Sequence, residues 1–200
     1  EGRLLAGTCS DARSWALAAG RPLLMFGACV ERAAELEPSG VLTPTVAPHV
    51  RADPLPPFLV QLIDIFVDKG LVSEETRPDS VVVSRYEVGD YDPPSVEPQH
   101  AFERPVLTLT LGGARTLILG QMLSTLADGA YRGAARLKLP RRSVLVSDAP
   151  AANVMQFASP RATEPCVALT FRRVAERMHA AMLQLHESAL DEAPARPLLP

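Results

Sequence analysis

Aromatic side chains are scarce in this chain: one Trp, three Tyr and six Phe make up 5% of 200 residues. No row of rings is visible on which single-stranded bases would stack. Lysine is scarcer still. Only Lys69 and Lys138 contribute to a total of 20 basic side chains, and the rest are arginine. Positive charge is not in excess either. A net charge of −3 and a pI near 5.8 exclude a broadly basic protein and leave room only for a local basic face. The three cysteines, Cys9, Cys29 and Cys166, are far apart and form no CxxC or zinc-ribbon spacing. They read as buried or free thiols, which places the expected location inside the cell, in a reducing compartment. The longest apolar run, Leu23 to Val30, is too short to cross a bilayer, and no secretory signal is visible. No membrane partner is expected.

Against these absences stand 47% hydrophobic and 22% charged residues, close to the globular average, in a chain long enough to bury a core. Ser10 to Glu37 reads as helical, capped by Ser10 and Asp11 and broken at Gly20-Arg21-Pro22. Pro38 to Pro57 is proline-rich and reads as an extended arm. Phe58 to Lys69 is the clearest helix. Leu59, Leu62, Ile63 and Phe66 follow a 3.6-residue stripe, with Pro57 before it and Gly70 after it.

From Asp79 the pattern turns to short strands. Ser80 to Tyr86 is β-branched and leads to Gly89-Asp90, a turn pair. Val106 to Leu111 and Ala114 to Leu119 flank Gly112-Gly113, a hairpin signal. Ala134 to Leu139 and Ser143 to Ser147 flank Pro140-Arg141-Arg142, a second one. Asn153 to Phe157 and Cys166 to Arg172 complete the set. A final helix is expected from Arg173 to Leu190, with Val174, Met178, Met182 and Leu185 on one face. The fold class is mainly β with flanking helices, an antiparallel sandwich or jelly roll. The chain divides into a helical N-terminal extension and proline-rich arm (1–57), a β domain with its leading helix (58–173), and a C-terminal helix and tail (174–200).

Several stretches carry a family resemblance. They are Pro78 to Asp90, Pro93-Pro94, Phe102-Glu103-Arg104-Pro105, Tyr131-Arg132-Gly133, Ser143 to Val146 and Leu169 to Arg172. In order and spacing they resemble the AlkB-like iron(II)- and 2-oxoglutarate-dependent dioxygenases. Within that family they are most similar to the plant and algal branch that includes RNA N6-methyladenosine demethylases. The resemblance covers about half the chain and implies a double-stranded β-helix. It also implies three iron ligands, a His-x-Asp pair and a later His, with open positions for 2-oxoglutarate and oxygen. Here the pair reads Ser95-Val96-Glu97, and the later position is Phe157. At most one of three ligands survives.

The cosubstrate positions are altered as well. The family's Asn-x-Tyr reads Ser84-Arg85-Tyr86, and its pair of arginines on the last strand reads Cys166 and Arg172. A charged hydrogen bond of this kind is worth on the order of 1.5–3 kcal/mol. Disturbing only a group behind a metal ligand costs about 10–100-fold in affinity, so losing two ligands costs more. The expectation is a dioxygenase fold without dioxygenase activity, a pseudoenzyme needing no cofactor. The alternative is an active demethylase holding Fe(II) and 2-oxoglutarate through Glu97 and other groups.

Other side chains have plainer readings. His100 reads as a surface residue. His179 and His186 are two helical turns apart, about 10 Å, too far to share an ion. His49 has no partner in sequence. Cys166 reads as a buried apolar residue. Arg172 is a candidate partner for Glu97 or Asp148. Arg132, Arg136, Lys138, Arg141 and Arg142 cluster around one predicted hairpin. They read either as an ordinary solvated ribbon or as a track for an RNA backbone. Protein partners are expected at the N-terminal arm or the C-terminal helix. The functional expectation is a non-catalytic RNA-binding or scaffolding subunit of a larger complex. A second alternative is a purely protein–protein module.

Overall fold

The computed structural model describes residues 23–32, 41–48, 50, 52–149 and 151–191, with side chains described as far as residue 184. Two antiparallel sheets face each other. The larger is ordered β1 (Leu23–Phe26), β4 (Ser80–Tyr86), β13 (Cys166–Arg172), β6 (Val106–Gly112) and β11 (Ser143–Ser147). The smaller is ordered β10 (Ala135–Leu139), β7 (Arg115–Gly120), β12 (Gln156–Ser159) and β5 (Asp92–Ser95). The chain alternates between the sheets at β4–β5, β5–β6, β6–β7, β10–β11, β11–β12 and β12–β13. That winding is a double-stranded β-helix, the jelly roll expected from the strand pattern.

Period-two alternation sorts the side chains of the larger sheet. Leu107, Leu109, Leu169, Phe171 and Val81 face outward into one apolar cluster. Val82, Ser84, Tyr86, Thr108, Thr170 and Arg172 face the space between the sheets. The outward cluster is covered by α1 (Pro57–Asp68), whose buried stripe is Leu59, Ile63 and Phe66. Each such burial contributes about 1.5–3 kcal/mol. Phe66 meets Phe171 edge to face at 5.0 Å. The helix starts behind Pro56 and ends where Gly70, at φ 67°, lets Gly70 and Leu71 donate back to Val67 and Phe66.

A second cluster joins the N-terminal segment to the C-terminal helix. A short α2 (Ala151–Val154) precedes β12; Met25, Val30, Val46, Phe102 and Val174 are buried together, and Met178 and Met182 of α3 (Glu176–Asp191) pack against them. The Met-bearing face of the last helix is therefore used within the chain. The proline-rich arm is used as well. β3 (Pro44–Val46) pairs with β2 (Val30–Arg32), and Leu42 exchanges backbone hydrogen bonds with Pro94 and Val96 beside β5. The packing thus crosses the 57/58 division drawn from sequence.

Three expectations need correction. Residues 23–32 are strands, not helix; the rest of the expected Ser10–Glu37 helix, up to residue 22 and from residue 33, lies outside the described residues. An apolar run of four has no helical period, and β1 gains a full ladder against Val81, Val82, Val83 and Ser84. Gly27 then turns the chain at φ 78°, so close to Asp79 that a Cβ would stand 1.9 Å from its carbonyl oxygen.

Neither expected hairpin forms. β6 is already flanked by β13 and β11, so Gly112-Gly113 carries the chain past Pro165 into the other sheet. Likewise β10 pairs with β7, and β11 with β6. Finally, Cys29 is disulfide-bonded to a partner outside the described residues, so the three cysteines are not all free thiols. Sequence separation is a poor guide to whether two sulfurs meet. Cys166 is buried and is not in a disulfide. No described helix is long and apolar enough to cross a membrane.

Candidate functional site

Between the sheets lies a cavity of about 250 Å³. Its walls are mostly apolar, with Val106, Leu117, Leu119, Leu145, Met155 and Phe157 contributing. Six of the seven positions singled out from the family pattern meet there: Ser84, Tyr86, Ser95, Glu97, Phe157 and Arg172. Cys166 does not line it; its thiol packs behind Tyr86 and beside Ala168.

The last strand and the loop after β5 bring Arg172 and Glu97 together. Arg172 Nε donates to Glu97 Oε2 at 2.9 Å, and Nη2 donates to Oε1 at 2.6 Å. This is a two-point guanidinium–carboxylate pair, and both residues are under 10% exposed. Of the two partners anticipated for Arg172, Glu97 is the one bonded. The ring of Phe102 lies 5.0 Å from the Arg172 guanidinium.

Arg104 braces the same loop from outside. It donates to the carbonyls of Glu97, Phe102 and Ala152 and to Asn153 Oδ1. Burial lowers its pKa, an effect that the nearby Glu97 carboxylate opposes. Ser95 and Phe157 stand opposite each other across the β5–β12 ladder, and Ser95 Oγ donates to the Phe157 carbonyl at 3.4 Å.

A second charged pair sits in the cavity, and sequence reasoning missed it. Arg115 Nη2 donates to Asp92 Oδ2 at 2.8 Å, and its Nε donates to Ser159 Oγ at 3.0 Å. The same Asp92 oxygen accepts from Tyr86 Oη at 2.5 Å. The Arg115 guanidinium lies 4.7 Å from the Tyr86 ring centre. The usable signal was alternation: Arg115, Leu117 and Leu119 share one strand face, so an arginine was bound to enter with the leucines. A buried tyrosine hydroxyl also needed an acceptor.

These residues do not fit an iron(II) centre. The three ligand positions supply one carboxylate, and Arg172 holds both of its oxygens. Ser95 is a poor donor to iron(II), and Phe157 has no donor atom. Among the described residues no group of three or more His, Cys, Asp or Glu is placed to hold a metal. His100 is exposed, as expected, and its carbonyl accepts from Arg177 Nε. His179 pairs with Asp79 at 2.8 Å, away from the cavity. His49 and the His186 side chain lie outside the described residues.

The five basic residues lie outside the cavity. Arg132 is on β9 (Ala130–Arg132), which pairs with β8 (Ser124–Ala127). Arg136 and Lys138 are on the exposed side of β10, at the edge of the smaller sheet. Arg141 and Arg142 follow in the turn to β11, itself an edge strand. All five are exposed, and among the described residues none is in an ion pair. Nearby in sequence, the β8–β9 ribbon folds over the smaller sheet through Tyr131, Leu123 and Ile118. Burial pushes the Tyr131 phenol up to about 12.

No family model matches the chain. Two curated proteins of Arabidopsis thaliana do. RNA demethylase ALKBH10B is 34% identical over 125 residues, which is 62% of this chain and 22% of that protein. RNA demethylase ALKBH9B is 28% identical over 177 residues, 88% of this chain and 34% of that protein. The chain thus spans only about a fifth to a third of the length of these relatives. Among solved structures, that of OsALKBH1 overlaps 76% of this chain and 77% of its own, with a TM-score of 0.46 and 12% identity. By sequence the chain is similar to AlkB-like proteins, in line with the resemblance carried by its motifs.

Proposed function

From this likeness we propose that the chain is a non-catalytic AlkB-like jelly roll that acts by binding RNA, as a subunit of a larger assembly. The observation that carries the first half is the Arg172–Glu97 pair, with Ser95 and Phe157 at the neighbouring ligand positions. A carboxylate held at two points by a buried guanidinium is not available to a metal without breaking both bonds. The other two positions offer too little to repay that loss. The RNA half rests on the exposed cations along β10 and its turn, and on the names of the two relatives. Phosphates displace condensed counterions when arginines neutralise them, so such an edge gains affinity without reading bases.

Two titrations test this reading. Calorimetry with Mn(II) as a surrogate for iron, followed by 2-oxoglutarate, is expected to give no specific heat. Metal binding that tightens with 2-oxoglutarate would overturn the non-catalytic half. Anisotropy with a labelled RNA at low salt is expected to show binding that weakens steeply as salt rises. No binding at low salt would leave a protein–protein module.

A second reading is favoured by the relatives' names: an iron- and 2-oxoglutarate-dependent demethylase of N6-methyladenosine in RNA. It predicts iron-dependent loss of methyl groups from a methylated RNA. Failure to take up metal removes it.

A further inference from the structure

The cavity contains two arginines, Arg172 buried and Arg115 partly buried, and each is already matched by a carboxylate of the chain itself. Arg172 is held by Glu97 and Arg115 by Asp92. The pairs are self-neutralising, so neither cation is left to receive a ligand's charge. Asp148, exposed at the rim, adds a further negative group to the lining. An entering anion would lose its hydration among fixed carboxylates, and no unpaired cation stands among the described lining residues to replace it. An uncharged ring faces no such cost. Leucine, valine, methionine and phenylalanine side chains would cover its faces, and the hydroxyls of Ser84, Thr108 and Thr170 would meet a polar edge. At about 250 Å³ the space lies just below the range of cavities that hold drug-sized ligands, and it suits one ring with a small substituent.

We propose that Glu97 and Asp92 act as built-in occupants of two arginine anion sites, so that the cavity admits small neutral ring compounds and excludes carboxylates. This rests on the reading above, in which Glu97 serves Arg172 rather than a metal. It goes further by setting the charge class of the ligand. It also makes a prediction that a merely collapsed cavity would not: removing one internal carboxylate charge turns the cavity into an anion receptor. Glu97→Gln keeps the shape and leaves the Arg172 guanidinium unneutralised. Asp92→Asn does the same for Arg115.

The test uses benzamide and benzoate, which match in size and shape and differ in charge. Both are titrated into the chain with EDTA present and followed by heteronuclear NMR at the backbone amides of β4 and β13. The wild-type chain is expected to bind benzamide at least tenfold more tightly than benzoate. Glu97→Gln is expected to gain at least tenfold in benzoate affinity, and benzoate, not benzamide, should raise its Tm. Asp92→Asn repeats the measurement should the first variant fail to fold. The proposal is overturned if benzoate binds the wild type as well as benzamide does. It also falls if benzamide leaves β4 and β13 unperturbed, or if a folded variant gains no affinity for benzoate. Because metal is absent throughout, these outcomes are separate from the Mn(II) titration that tests the non-catalytic reading.

Discussion

At the scale of single residues, Glu97 is the position where one side chain decides most. It is buried, and its two oxygens meet two nitrogens of an equally buried arginine. Truncation to alanine would leave Arg172 charged, desolvated and without a counter-ion. Glu97→Ala is therefore expected to cost about 3–5 kcal/mol, read as a lowered urea midpoint with an unchanged m-value. A loss under about 1 kcal/mol, the scale of an exposed pair, would mean that water reaches the guanidinium. Tyr131 gives a second residue-scale prediction. Its phenol titrates near 12 in the folded chain because burial disfavours the phenolate. The unfolded chain ionises near 10. Stability from this group is thus complete below about pH 10 and is lost as pH rises from about 10 through 12. Absorbance of tyrosinate should show a phenol titrating late, and Tyr131→Phe should reduce that late step by one phenol.

At the scale of elements, the two ends of the domain are clasped by one residue. Asp79 Oδ1 accepts from the Val174 backbone N–H at 2.9 Å, and Oδ2 meets His179 of α3 at 2.8 Å. Asp79→Ala removes both bonds at a half-exposed place, so a destabilisation of about 1–2 kcal/mol is expected. Limited proteolysis should then cut first within α3. The β1–β4 connection is more demanding. Gly27→Ala must place a Cβ against the Asp79 carbonyl at a positive φ, and about 2–4 kcal/mol of destabilisation is expected by thermal denaturation. These elements differ in how legible they were. β4 was plain from its β-branched valines, and α1 from Leu59, Ile63 and Phe66, which carry a helical period. Leu23 to Phe26 carries none, and its strand exists because β4 offers an open edge. The β6–β7 glycines signalled a turn correctly, but a local turn does not say which sheet the next strand joins.

At the scale of the whole molecule, the two proposed binding places lie apart. The cavity lies between the sheets, while Arg136, Lys138 and their neighbours line an outer edge. Replacing Arg136 and Lys138 together by glutamate should weaken RNA binding for all sequences alike. It should also flatten the dependence of log K on log salt by about 0.7 for each single-strand phosphate that these cations no longer neutralise. An unchanged slope would move the RNA surface elsewhere. The double replacement should leave the benzamide titration unchanged, since neither residue lines the cavity.

What the amino-acid order determined alone is the jelly-roll class, the helix from Phe58 to Lys69 and the long strands from Ser80 onward. Alternation and the 3.6-residue stripe are local, and burial enforces them. The resemblance read from the chain order singled out Ser95, Glu97 and Phe157, and the fold brings these three to one cavity. Tertiary structure alone decided that Arg172 closes on Glu97, that Arg115 closes on Asp92, and that the basic turn joins two sheets rather than two strands of one. Those pairings join residues 75 and 23 positions apart, and only the winding of the two sheets brings them within a hydrogen bond.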